Sequence, residues 1–224
     1  MTPSAAWTSG GPFEILYCEC AVLYSDGVAG EVEVLTLRTH TLNQFDIPGQ
    51  KEDEMCAHQD KQKLLDKIER EAAQHERELH ACGRSALMAL ALNLNLMDEN
   101  CINATLRAAI PLSGGIAGTR NHCGALLAGI MAIGLATVKS DPRKDTVEER
   151  KAAMAASKRL YRRFEKEIGH VRCFDIREVG LGRSFDTSDP GELKRFEEAG
   201  GFVFCSSVVG KAARMAAEII LRSE

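Results

Sequence analysis

A helical spacing of apolar residues is the feature that most limits what this chain can fold into. From His58 onward, the stretch "QDKQKLLDKIEREAAQHERELH" places its apolar residues on one side of a strongly charged helix. These residues are Leu64, Leu65, Ile68, Ala72 and Leu79. Further along, the run Gly124–Val138 spans 15 almost wholly apolar residues, which is short for a membrane span and favours a buried helix.

Start and stop signals divide the rest of this region into further helices. The sequence Thr146-Val-Glu-Glu149 forms a capping box that opens an amphipathic helix ending at Gly169. Asp98 can cap a helix that Pro111 stops, and Asp189 can cap a short one. We therefore predict an all-α domain, a helical bundle of five to seven helices over residues 55–224.

The first 54 residues differ from the rest in charge and in pattern. They hold nine acids and two bases, a net charge of −7. The segments "FEILYCECAVLY" and "EVEVLTLRT" flank the turn "SDG", and this arrangement predicts a β-hairpin. We expect residues 1–54 to be a short acidic appendage to the helical domain.

Composition excludes several classes of function. A net charge of −4 gives no indication of a nucleic-acid partner. No basic residue precedes Arg38, so the sequence shows no signal-peptide pattern, and we expect a cytoplasmic protein without membrane insertion. Eight cysteines among 224 residues, with no CxxC pair, are far too few for a secreted disulfide scaffold. In a reducing compartment, such cysteines are core residues, metal ligands or redox thiols.

Cys123 lies where a glycine-rich loop meets the apolar helix. If Asn121 caps that helix, Cys123 falls in its first turn, where free amides and the helix dipole stabilise an anion. Arg120 and His122 adjoin it in sequence, and Gly124 leaves the sulfur approachable. These features predict a lowered thiol pKa at Cys123. His122 is a candidate proton partner or a haem or metal ligand, although adjacent helical residues point in different directions.

Three more cysteines stand near predicted helix ends. Cys205 opens the last helix after "GGFVF", Cys82 precedes the apolar helix "SALMALAL", and Cys173 lies in "GHVRCFDI", just past a helix end. The alternative for each of the four is a small core residue. The loop "SGGIAGTRNH" leaves two interpretations open, close helix packing or a backbone cradle for an anion.

Taken together, the four cysteines resemble the C-GCAxxG-C-C family of redox-active proteins, which is related to split-Soret cytochrome c. The segments that carry the resemblance cover about residues 78–221. They are "ACGRSALMALA", "SGGIAG", "HCGALLAGIMAIGL", the lone cysteine after "RRFEKEIGHVR", and "FCSSVVGKAARMAAEII". One departure is that the last glycine of the central motif falls at position 129, where the signature places it at 128.

The resemblance implies redox activity through Cys82, Cys123, Cys173 and Cys205, which should lie close together. We expect Cys123 to be the reactive thiolate and the other three to resolve or pair with it. The alternative is an iron–sulfur cluster or a metal ion held by the same four cysteines. Haem is less favoured because no CxxCH motif occurs. His122 and Gly124 are candidate cofactor contacts. We expect the partner to be a redox protein or a small-molecule substrate, and the chain could also form a homodimer.

Overall fold

The computed structural model describes the backbone of residues 50–222 and the side chains of residues 58–222. Within this range the chain forms eight α-helices and no strand. They are α1 (Gln50–Leu79), α2 (Cys82–Asn93), α3 (Glu99–Ala109), α4 (Gly124–Thr137), α5 (Val147–Ile168), α6 (Cys173–Leu181), α7 (Pro190–Glu198) and α8 (Gly201–Ile220). The all-α prediction is confirmed for these residues, while the predicted range of five to seven helices was too low. The predicted N-terminal hairpin lies outside the described residues.

The helix that sequence analysis missed is α6. Cys173 does not simply follow a helix end; it is the first residue of a nine-residue helix. Gly169 ends α5 with a φ of 93°, and Gly182 ends α6 with a φ of 77°. A segment this short between two glycines carries too few apolar positions for a helical period to stand out.

Three of the predicted helix caps are confirmed, at Thr146, Asp98 and Asp189. The Thr146 hydroxyl accepts a hydrogen bond from the Glu149 amide at 3.1 Å, and the Glu149 carboxylate accepts one from the Thr146 amide at 2.9 Å. Asp98 and Asp189 cap α3 and α7 through their side chains. These caps satisfy amides that have no partner inside the helix, and they depend on near neighbours in sequence alone.

The predicted apolar helix, α4, contributes to the hydrophobic core of the bundle. It packs against α2, α5 and α8, while α1 lies along α8 and α2. Gly129 lets these helices approach closely, because a Cβ there would lie 2.8 Å from Leu160 Cδ2 of α5 and 3.2 Å from Ala216 Cβ of α8. The three smaller helices α3, α6 and α7 lie around this core.

All described residues belong to one of the two units into which the chain divides, residues 46–224. The boundary that we place between residues 54 and 55 stays a prediction, but α1 begins at Gln50 and so crosses it. None of the helices within residues 50–222 combines the length and the apolarity needed to cross a membrane.

Candidate active site around four cysteines

Cys82, Cys123, Cys173 and Cys205 line a single cavity of about 410 Å³. Each comes from a different part of the bundle, and all four are free thiols. Cys123 and Cys173 are buried, whereas Cys82 and Cys205 are partly exposed. The fold therefore brings together the four cysteines on which the family resemblance depends, while their chemical roles stay predictions.

Three of the four cysteines mark the start of a helix. Cys82 is the first residue of α2, Cys173 is the first residue of α6, and Cys123 is the N-cap residue of α4. Two expectations need correction. Asn121 does not cap α4, and Cys205 does not open α8 but lies one turn inside it, since that helix begins at Gly201.

The glycine-rich loop fastens the start of α4 to the start of α6. The Cys123 amide donates to the Val171 carbonyl at 2.8 Å, and the Cys173 amide donates to the Asn121 carbonyl at 2.6 Å. Gly115 has a φ of 75°, and a Cβ at this residue would lie 2.7 Å from the Cys173 Cβ. The loop glycines thus allow close packing, which holds two of the cysteines in fixed register.

Gly124 positions a third cysteine. The Cys82 sulfur packs directly against it, because a Cβ at Gly124 would lie 2.8 Å from Cys82 Sγ. Sequence analysis assigned Gly124 to access or cofactor contact. In the structure this glycine lines the cavity and lets the sulfur of α2 approach the first turn of α4.

Burial dominates the ionisation of these thiols. Desolvation raises the pKa of Cys82 and of Cys205 to about 11, and it raises the pKa of Cys123 well above the ordinary value of a thiol. The amides of Leu126 and Ala125 lower the pKa of Cys123, but they do not outweigh the burial of a residue that is 7% exposed. The expected thiolate at Cys123 is therefore wrong: the helix start is present, but it is closed off from water.

Two buried charged residues share the cavity with the cysteines. Arg177 is 7% exposed, and its guanidinium lies 4.3 Å from the centroid of the Phe196 ring. Its charge opposes the effect of burial on the pKa of Cys173 and of Cys205. Glu76 is 5% exposed, and desolvation raises its pKa to about 7. The cavity therefore holds a fixed cation and a carboxyl group that titrates near neutrality.

Sequence analysis missed both residues, although each had a signal. The buried stripe of α1 runs through Ile68 and Ala72, and its next position is Glu76, an acid where a core residue is expected. Arg177 follows Cys173 by four residues, which places the two on one face of α6. The spacing of four residues between Cys173 and Arg177 is informative only if this segment is a helix, which the sequence did not predict.

His122 lies away from the cavity. Its Nε2 atom is 3.4 Å from the hydroxyl oxygen of Tyr161 on α5, and it does not belong to the cavity lining. The histidine that does line the cavity is His80, whose ring stacks on Phe202 with centroids 3.7 Å apart. The role of His122 as a proton partner or ligand stays a prediction.

The structure also bears on the remaining cysteines and on the metal-binding alternative. Cys101 is exposed on α3 and outside the cavity lining, and the side chains of Cys18, Cys20 and Cys56 lie outside the described residues. Among the residues whose side chains are described, no three histidine, cysteine, aspartate or glutamate residues are grouped so that they could hold a metal ion.

The four cavity cysteines also belong to a segment that matches a known protein family. Residues 80–219 match the sequence model of the family described as "Putative redox-active protein (C_GCAxxG_C_C)". The chain belongs to this family. The matched segment contains all four cavity cysteines, begins at the end of α1 and stops within α8. Searches among curated proteins and among solved structures found no match.

Proposed function

We propose that this protein carries out thiol–disulfide redox chemistry in the four-cysteine cavity. The observation that carries the proposal is the convergence of four free thiols, from four parts of the bundle, on one cavity. The redox activity attributed to the family supports it. The cysteine content is that of a protein in a reducing compartment, so the proposed location is the cytoplasm.

In this proposal, Cys205 is the attacking thiol. It is partly exposed, whereas Cys123 and Cys173 are buried. Cys82 is also partly exposed, and both Glu76 and Arg177 act on the pKa of each thiol. At Cys82 the raising effect of Glu76 exceeds the lowering effect of Arg177, whereas at Cys205 the effect of Arg177 is the larger of the two. Access and a neighbouring cation are the two conditions that make a cysteine reactive.

The reaction is a thiol–disulfide exchange in two steps. The Cys205 thiolate attacks a substrate disulfide, one half of the substrate leaves as a thiolate, and a mixed disulfide forms. A second cavity cysteine then attacks Cys205 and releases the other half. The substrate gains two electrons and two protons, and the protein retains an internal disulfide. The Glu76 carboxylate, which interacts electrostatically with Cys205, can accept the proton that the attacking thiol loses.

The test is the rate of this exchange in matched variants of the anaerobically purified protein. The change Cys205→Ser should lower the rate of exchange with a small disulfide by about a hundredfold or more, since it removes the proposed nucleophile. The change Cys101→Ser, at an exposed cysteine outside the cavity, should leave this rate unchanged. Equal rates for the two variants would refute the proposal. Bound iron with a visible charge-transfer absorbance would instead favour the iron–sulfur alternative.

A further inference from the structure

Arg177 is a buried cation whose guanidinium is only partly satisfied. Its Nε has no hydrogen-bond partner, its Nη1 donates to the Phe185 carbonyl at 3.4 Å, and its side chain also interacts with the Cys205 thiol. Among the residues described, no carboxylate lies within ion-pair distance of its guanidinium. A buried unpaired charge is strongly unfavourable, so an anion that reaches this guanidinium is stabilised. Because Arg177 lines the cavity, such an anion can come from solution.

Three helix starts add positive potential at the same place. The helices α2, α4 and α6 all begin at the cavity, and none of the three has a side-chain hydrogen bond to cap its first amides. Each helix start carries a partial positive charge, although the first two amides of α6 already donate to backbone carbonyls. Ser113, whose hydroxyl is buried without a partner, also lines the cavity. The polar lining of the cavity thus combines the Arg177 cation and the helix starts with one carboxyl group, that of Glu76.

The rest of the cavity lining is mainly apolar. Its apolar residues are Ile176, Leu193, Phe196, Phe202, Val208 and Val209. The volume of about 410 Å³ is in the range of small-molecule sites. His80 and Leu193 are exposed to solvent, so the cavity can be reached from outside. A ligand that satisfies both the polar and the apolar lining has an apolar or aromatic body and one anionic group.

We propose that the cavity selects small disulfides that carry a carboxylate, and that Arg177 binds this carboxylate while the apolar wall holds the body of the molecule. This inference rests on the proposed function, because the selected molecule is the disulfide that the cysteines reduce. Arg177 and Cys205 interact, so a carboxylate at Arg177 holds the attached disulfide beside the attacking sulfur. Arg177 thus determines specificity, in addition to its effect on the thiol.

The test compares two aromatic disulfides, dithiobis(nitrobenzoate), which carries carboxylates, and dithiodipyridine, which is neutral. The full chain is used with Cys18, Cys20, Cys56 and Cys101 each changed to serine, so that the cavity thiols are the only ones left. The measured quantity is the ratio of the two exchange rates, divided by the same ratio for a free cysteine derivative. Because the same thiolate attacks both probes, a change in its pKa cancels in this ratio.

Wild-type Arg177 should give a normalised ratio well above one. The change Arg177→Gln should reduce that ratio by about ten- to hundredfold, which is the usual effect of losing a charge-assisted hydrogen bond. Arg177→Lys, which keeps the charge, should retain part of the preference. Arg162→Gln removes an exposed charge on α5, outside the cavity lining, and should have no effect. A normalised ratio near one in the wild-type protein would overturn the inference.

A second measurement needs no variant of the protein. Nitrobenzoate should bind to the reduced wild-type protein in a calorimetric titration and should slow its exchange, whereas nitrobenzamide, its neutral counterpart, should do neither. If both disulfides react but nitrobenzoate does not bind, the inference fails and the proposed function stands. If nitrobenzoate binds but neither disulfide reacts, the proposed function fails, and so does the selection of disulfides.

Discussion

At the scale of single residues, the cavity is defined by the two charged side chains that the bundle buries. Arg177 and Glu76 enter the cavity from α6 and from α1, and both are more than nine-tenths buried. Their effects differ, because arginine keeps its charge at every accessible pH, whereas the Glu76 carboxyl titrates near pH 7. The cavity therefore changes its net charge within the physiological range of pH.

The first prediction concerns stability as a function of pH. The folded pKa of Glu76, about 7, is above the ordinary value of 4.5 for a glutamate, although Arg177 and Arg84 act in the opposite direction. Protonated Glu76 is thus favoured in the folded state, and its contribution is present below pH 4.5 and lost as the pH rises through 7. Between pH 5 and pH 8 the wild-type protein should lose stability relative to Glu76→Gln, by up to about 3 kcal/mol.

Urea unfolding under reducing conditions at both pH values measures this difference. The matched control is Glu78→Gln, an exposed acid on the same helix, which should follow the wild-type pH dependence. The cysteines do not affect the comparison, because thiol ionisation in the unfolded chain is the same for both proteins, and the folded pKa values of Cys82 and Cys205, about 11, are above the range tested. If the free energy of unfolding changed equally with pH in the wild-type protein and in Glu76→Gln, the pKa of Glu76 would be the same in the folded and unfolded states, and the prediction would be wrong.

At the scale of helices, close approach between the first turns determines where the sulfur atoms lie. Gly124→Ala should destabilise the protein by roughly 1–3 kcal/mol, because the added methyl group would overlap the Leu112 carbonyl oxygen and also Cys82 Sγ, 2.8 Å away. Gly134→Ala is a control in the same helix, since a Cβ there would meet nothing within 4 Å. It should be neutral, or stabilising by up to about 1 kcal/mol through helix propensity. Chemical denaturation distinguishes the two, and equal effects would contradict the packing described.

Helix caps made by side chains close in sequence were the part of the structure most readily predicted. The caps at Thr146, Asp98 and Asp189 were predicted because each is made by residues within one turn. The surroundings of Cys123 were not, since burial is a property of the packed bundle and it reverses the effect of the helix start on the thiol pKa. Arg177 was missed for the same reason: its helix is short, and its partners come from α7 and α8.

At the scale of the whole molecule, the family match is narrower than the folded unit. The match begins at residue 80, but α1 ends at Leu79 and packs along α8 and α2. Leu65, Ile68 and Ala72 of α1 are part of the hydrophobic core. Each fully buried leucine or isoleucine contributes roughly 1.5–3 kcal/mol, against a total stability of about 5–15 kcal/mol.

A chain consisting of residues 80–224 should therefore fail to unfold cooperatively, although it contains the whole matched segment and all four cavity cysteines. Its matched control is a chain consisting of residues 50–224, which keeps α1 and lacks the region before it. This longer chain should be helical, with the thiol reactivity of the full protein. Circular dichroism during thermal unfolding checks both. A cooperative transition for residues 80–224 would mean that α1 is an accessory to the bundle.

The proposed function requires the four cavity cysteines to act as one redox unit, and disulfide mapping tests this most directly. The reduced full-length protein is equilibrated in thiol–disulfide buffers of increasing potential, quenched with acid, alkylated and analysed by peptide mass spectrometry. We predict that the first disulfides to form join Cys82, Cys123, Cys173 and Cys205 to one another. The exposed Cys101 should stay reduced and should therefore be found alkylated. Early disulfides that involve Cys101, or cavity thiols that stay reduced at every potential, would contradict the account.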